Sequence, residues 1–178
     1  TYIFGGKAAS AYYKAKKTIK LINTLAAVIN NDKTIRDKLK VLFLENYNVS
    51  LAELIIPAAD VSEQIPTAGF EASGTANMKF MMNGAVTLGT MDGANIEIAG
   101  LVGKDNIITF GLTADEVVSY YKRGGYNPWD VYHSDNRVAT VMEQLVNGFL
   151  PVAHDEFRSH YDAFPHHGDY YFILKDFS

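Results

Sequence analysis

Val41-Leu42-Phe43-Leu44 is an apolar run without polar alternation, and it constrains the fold of this chain more than any other stretch. A strand with one wet face alternates; a strand apolar at every position is covered on both faces, as in a parallel sheet flanked by helices. The residues before it supply the rest of such a unit. Tyr2-Ile3-Phe4 is a short apolar run stopped by Gly5-Gly6, and between Ala8 and Asn30 the residues Ala15, Ile19, Ile22, Ala26 and Ile29 recur at helical spacing. Lys14, Lys16, Lys17 and Lys20 fall mostly on the remaining arc and read as a solvated face. The pattern predicts strand, tight turn, helix and a second, parallel strand.

The alternation continues along the chain. Ser50-Leu51-Ala52-Glu53 has the capping-box pattern ahead of a short helix stopped near Pro57. Ala85 to Gly89 and Ile107 to Gly111 read as strands, Met91 to Asn95 as a tight loop, and Thr113-Ala114-Asp115-Glu116 as the capped start of a helix reaching Lys122. Asn95-Ile96-Glu97-Ile98 fits both an edge strand and a helix start. Farther on, Asn127-Pro128-Trp129 is a turn or a proline-led helix, Val138 to Val146 and His154 to Phe164 are helical, and Tyr170 to Leu174 is apolar. The sum is a single α/β domain over residues 1–178, doubly wound, with a mostly parallel Rossmann-like sheet and helical additions at its C-terminal end.

Composition narrows the chemistry. With 178 residues, of which 48% are hydrophobic and 20% charged, the chain can bury one sizeable core. A formal net charge of −4 provides no general attraction to nucleic acid or anionic membrane, so neither is expected as a partner. The absence of cysteine excludes disulfides and thiolate metal sites. No secretion signal opens the sequence and no apolar run approaches about 18 residues, so the cytoplasm is the expected location. A strand-like segment begins at once without an initiating methionine, which suggests a piece of a longer protein. His154, His160, His166 and His167 do not share a helical face at ligand spacing and read as surface or capping histidines, so no metal site is expected. Gly5-Gly6-Lys7 lacks the upstream glycine and the following Ser or Thr of a phosphate loop.

The stretch from Glu71 to Gly84 carries the chemistry. Ser73 suits an N-cap, Gly74 permits close approach, and Thr75, Ala76 and Asn77 would form the first turn of a helix, whose amides have no partner within it. Such a turn receives phosphate. Thr75 and Lys79 are then an i,i+4 pair about 6 Å apart along the axis at 1.5 Å per residue, the length of a small phosphorylated ring. A ligand with its phosphate near Thr75 and a carbonyl at the Lys79 amine suggests pyridoxal phosphate. Met78, Phe80 and Met81 would leave that lysine partly buried, with a lowered pKa.

Glu71-Ala72-Ser73-Gly74-Thr75-Ala76-Asn77-Met78-Lys79 closely resembles the motif of the α-glucan phosphorylases, the glycogen, starch and maltodextrin phosphorylase family. The resemblance extends through Gly5 to Ala9, Phe43 to Tyr47, Ile56 to Ile65 and Gly89 to Asn95. It implies an α-1,4-glucan and inorganic phosphate as substrates, glucose 1-phosphate as product, and pyridoxal 5'-phosphate carried by Lys79. By the same resemblance Lys79 and Thr75 take the catalytic positions, and Gly74, Thr75 and Ala76 offer amides to the cofactor phosphate, with Tyr47 and Asn48 beside it. Glu71, Ala72, Ser73 and Gly74 match the segment that holds the hydroxyls of the reacting glucose. Asn48 replaces an arginine common in animal members, and Ala76 replaces Gly or Ser. The family implies a homodimer and a much longer chain, of which this is part of the C-terminal half; the N-terminal half is the missing partner. An isolated chain of this kind would be a non-catalytic α/β module.

Overall fold

The apolar run at 41–44 finds the partner its pattern required. The computed structural model describes residues 1–177. In chain order it contains β1 (Tyr2–Gly5), α1 (Tyr13–Asn31), β2 (Val41–Leu44), α2 (Val49–Ile55), β3 (Val61–Gln64), α3 (Ala76–Met82), β4 (Val86–Thr90) and α4 (Ala94–Val102). There follow β5 (Ile108–Phe110), α5 (Ala114–Arg123), α6 (Pro128–Ser134), α7 (Asn136–Gln144), α8 (Arg158–Ala163) and α9 (Ile173–Phe177). These parallel strands and helices form the α/β fold that the pattern predicts. They fall into two units, Thr1–Val49 with Asn136–Ala163, and Ser50–Asp135 with the residues from Phe164 on. Among the described residues no helix is long and apolar enough to cross a membrane.

In the first unit β1 and β2 pair in parallel, Tyr2 opposite Val41 and Gly5 opposite Leu44. α1 starts at Tyr13 rather than near Ala8 because a turn intervenes, with the Tyr12 amide donating to the Ala9 carbonyl at 2.9 Å. Its apolar stripe is the predicted one, centred on buried Ala26. Asn30 ties the end of α1 to β2: its amide donates to the Val41 carbonyl at 2.8 Å and its oxygen accepts from the Val41 N–H at 3.0 Å. Lys17 departs from the solvated face. Its Nζ donates to Glu156 Oε1 at 2.6 Å and to the Glu156 carbonyl at 2.5 Å, while Lys20 reaches Oε2 at 2.9 Å. Val41, Val138, Met142, Leu150 and Phe157 are buried in this unit, and Phe157 is fully enclosed.

His160 also departs from the surface or capping role expected of the histidines. It is buried, its Nε2 lies 3.0 Å from Thr18 Oγ1 on α1, and its Nδ1 has no hydrogen-bond partner among the described residues. Burial, reinforced by the charges of Lys14 and Lys17, holds its pKa below the usual imidazole value. The folded state therefore favours the neutral ring, and below the unfolded value of about 6.5 the unfolded chain binds more protons. This contribution to stability is complete above that pH and is lost as pH falls through the lower folded value. Urea midpoints at neutral pH and near pH 5.5 should show the decline, and His160→Gln should flatten it; parallel slopes for the two proteins would remove His160 as the cause.

In the second unit β3, β4 and β5 form one parallel sheet in that order, Val61 opposite Val86 and Leu88 opposite Ile108. β3 is a strand that composition conceals, since Val-Ser-Glu-Gln carries one β-former and gains its ladder from β4. Ser62 and Thr87 are buried on one side of this sheet; Val61, Val86 and Ile108 on the other remain exposed. Asn95-Ile96-Glu97-Ile98 resolves as helix, because α4 starts directly after Gly93. α2 begins at Val49, so Ser50 lies inside its first turn instead of capping it, and the α-helix ends at Ile55 before a 3-10 turn that contains Pro57. Thr113 caps α5 as predicted, and Glu116 reaches back to complete a capping box; Asn127 caps α6 through the Trp129 amide at 3.2 Å. Ala68, Leu112, Val117 and Phe172 make the core of this unit.

Candidate functional site

The site grows from the carboxyl ends of β3 and β4, where parallel α/β sheets leave room for ligands. From β3 the chain turns through residues 65–75 into α3, and from β4 it turns through Met91-Asp92-Gly93 into α4. The two turns touch. The Ala94 amide donates to the Ser73 carbonyl at 2.6 Å, and a Cβ built on Gly93 (φ +51°) would stand 2.4 Å from the same oxygen. Only glycine fits there.

Between these turns lies a cleft of about 230 Å³. Glu71, Ser73, Gly74, Thr75, Ala76 and Asn77 line it from the predicted motif, and Gln64, Pro66, Asp92 and Asn95 from outside it. Spacing alone thus brings Glu71 and Ser73 to the same cavity as the start of α3. Ser73 does not cap the helix, however. The cap position falls to Thr75, the Ser73 hydroxyl donates to the Gly74 carbonyl at 3.4 Å, and Gly74 takes a left-handed turn at φ +84°. This later start leaves the amides of Thr75, Ala76 and Asn77 without a protein acceptor among the described residues. Free donors beside a glycine with no side chain fit the phosphate end of a small ligand.

Lys79 stands one turn beyond Thr75, as the spacing predicts, its amide donating to the Thr75 carbonyl at 3.2 Å. It is exposed, so the expected partial burial does not hold; Met78 is exposed as well, and only Phe80 and Met81 are half-buried. Neither Lys79 nor Ala72 lines the cleft. α3 ends at Asn83-Gly84, with the Gly84 amide donating to the Met81 carbonyl at 3.0 Å and the Ala85 amide to the Phe80 carbonyl at 3.1 Å, the Schellman pattern. Tyr47 and Asn48 belong to the first unit, in the turn after β2. There the Tyr47 ring packs against Gly5, whose added Cβ would come within 3.0 Å of it, and the Asn48 side-chain Nδ2 donates to the Asn46 carbonyl at 2.8 Å.

Gln64, Asp92 and Asn95 are the lining residues that sequence reasoning assigned no role. Their local signal is the polar pair Asp92 and Asn95 bracketing Gly93-Ala94 just after an apolar strand, residue types that turn back onto nearby backbone.

A family model described as carbohydrate phosphorylase matches residues 1–178. Glycogen phosphorylase of Bacillus subtilis is 58% identical over 178 residues, which cover 100% of this chain and 22% of that protein. Glycogen phosphorylase of Haemophilus influenzae is 52% identical over 177 residues, 99% of this chain and 21% of that protein. The liver form of human glycogen phosphorylase is 50% identical over 182 residues, 98% and 21% respectively. The chain thus spans about a fifth of the length of the relatives it matches.

Proposed function

The chain belongs to the carbohydrate phosphorylase family, and from that premise we propose that it is part of an α-glucan phosphorylase, in the C-terminal half that holds pyridoxal phosphate. The reaction is phosphorolysis of a terminal α-1,4-linked glucose to α-glucose 1-phosphate. The observation that carries this reading is the shared cleft: the sugar-side residues Glu71 and Ser73 and the phosphate-side residues Gly74, Thr75 and Ala76 line one cavity. The relatives named glycogen phosphorylase support the substrates, glucan and inorganic phosphate. The family setting, a cytoplasmic homodimer, is proposed on the same ground.

In this reading the Lys79 amine holds the cofactor and the amides around Gly74 to Ala76 receive its phosphate. When bound, the cofactor supplies that phosphate group as a proton relay to the inorganic phosphate substrate. The chain's own contribution is electrostatic. Backbone donors fixed at the start of α3 hold oxyanions without having to reorganise, which is the larger part of what an enzyme can offer a phosphoryl oxygen. Glu71 accepts hydrogen bonds from glucose hydroxyls, with the Ala72 and Ser73 backbone and Gly74 completing the arm that fixes the ring.

Borohydride reduction in the presence of pyridoxal phosphate, followed by mapping of the labelled lysine, tests the assignment. In the intact enzyme the label should reside on Lys79; label elsewhere, or none, overturns it. The exposure of Lys79 favours a second reading for the chain on its own, a non-catalytic α/β module that holds the cofactor weakly or not at all. Label scattered over exposed lysines of the isolated chain would support that reading.

A further inference from the structure

We infer that Asp92 and Asn95 are positioning residues, which hold the sugar arm and the phosphate-facing turn in register across the cleft; the inference rests on the function proposed above. Asp92 is 5% exposed, and its carboxylate takes three successive backbone donors. The Gly69 amide donates to Oδ1 at 2.8 Å, and the Phe70 and Glu71 amides donate to Oδ2 at 3.1 and 2.7 Å. One side chain therefore determines where the backbone of Glu71 lies and from what direction its carboxylate enters the cleft. The far end of the arm is held by the neighbouring residues, through the 2.6 Å bond from the Ala94 amide to the Ser73 carbonyl.

Asn95 serves the opposite wall. It is 1% exposed, its amide donates to the Thr90 carbonyl at 2.9 Å and the Gln64 carbonyl at 3.4 Å, and its oxygen accepts from Asn77 Nδ2 at 2.9 Å. Asn77 Oδ1 in turn accepts from the Met78 amide at 2.9 Å. Through this amide pair the ends of β3 and β4 are tied to the first turn of α3, beside the free donors at Thr75 and Ala76. Two side chains of a single short segment thus align the two halves of the motif.

The chemistry of each group makes the roles separable. A carboxylate has two oxygens for three amides; the carboxamide of Asp92→Asn has one, and in either orientation its NH2 faces at least one backbone N–H. That disturbs the sugar arm while Asn95 still holds the other wall. Asn95→Ala frees the start of α3 and leaves the three amides on Asp92 intact.

The test uses the intact enzyme, reading KM and kcat for glucose 1-phosphate with a linear α-1,4-glucan as acceptor, together with the borohydride-fixed cofactor on Lys79 and the melting temperature. A wild-type enzyme without label on Lys79, or without phosphorolysis, removes the proposed function and this inference with it. With wild type active, Asp92→Asn should raise KM on the order of ten- to a hundredfold at unchanged label. Asp92→Glu, which keeps two oxygens, should recover part of the loss. Asn95→Ala should lose label, on the order of tenfold weaker retention, while the fraction that keeps cofactor retains a KM near wild type. Wild-type values throughout, or label and KM deteriorating together in both variants, overturn the assignment. Should Asp92→Asn fail to fold, Asp92→Glu decides: a raised KM at full label supports the role and a wild-type KM ends it.

Discussion

Lys79→Ala in the intact enzyme should abolish the cofactor's absorbance and lower phosphorolysis by at least about a thousandfold, the loss expected when the main electrostatic element of an active site goes. The substitution is informative because its structural cost is small. Lys79 is exposed near the end of a seven-residue helix closed by its own Schellman turn, so alanine there should change stability by no more than about 0.5 kcal/mol. Circular dichroism and the melting temperature of the cofactor-free protein should match wild type. Lys79→Arg should be as inactive, since a guanidinium keeps the charge but does not act as an amine nucleophile. An alanine variant that retained activity would refute the role of Lys79 outright, and an arginine variant that retained it would reduce that role to charge.

Phe157→Ala should be the most damaging single substitution for stability in the first unit. The ring is fully enclosed, in the unit where Val138, Met142 and Leu150 are also buried. Removing a buried phenylalanine side chain costs about 3–5 kcal/mol through lost transfer energy and the cavity left behind. A domain of ordinary stability has about 5–15 kcal/mol in total. Urea unfolding followed by circular dichroism should therefore show a large fall in midpoint. The chain's one tryptophan, Trp129, lies in the second unit, so its fluorescence follows that unit separately. A circular-dichroism midpoint within experimental scatter of wild type would mean that Phe157 does not anchor its unit.

Features that depend on neighbours in sequence were legible. The stripe from Ala15 to Ile29, the apolar run of β2 and the capped start at Thr113 all record short-range geometry, and each forms where its pattern lies. Features that depend on distant partners were not. Lys17 finds Glu156 across 139 residues and His160 meets Thr18 across 142, so neither the ion pair nor the burial leaves a local trace. β3 is a strand because β4 accepts it, and Ser73 loses the cap because its carbonyl is engaged by Ala94 instead. The same distinction divides the site. Glu71, Ser73, Gly74, Thr75 and Ala76 stand together in one short motif, whereas Asp92 and Asn95 join them in the cleft only once two strand ends lie side by side.

The uncovered side of the β3-β4-β5 sheet bears on how the isolated chain behaves in concentrated solution. Val61, Val86 and Ile108 are exposed hydrocarbon on that side, of the kind that draws molecules together. Glu63 stands two residues after Val61 and opposite Leu88, so its exposed carboxylate projects from the same strip. A charged side chain set within the strip opposes the stacking of one strip on another, the same device by which natural sheets guard their edges.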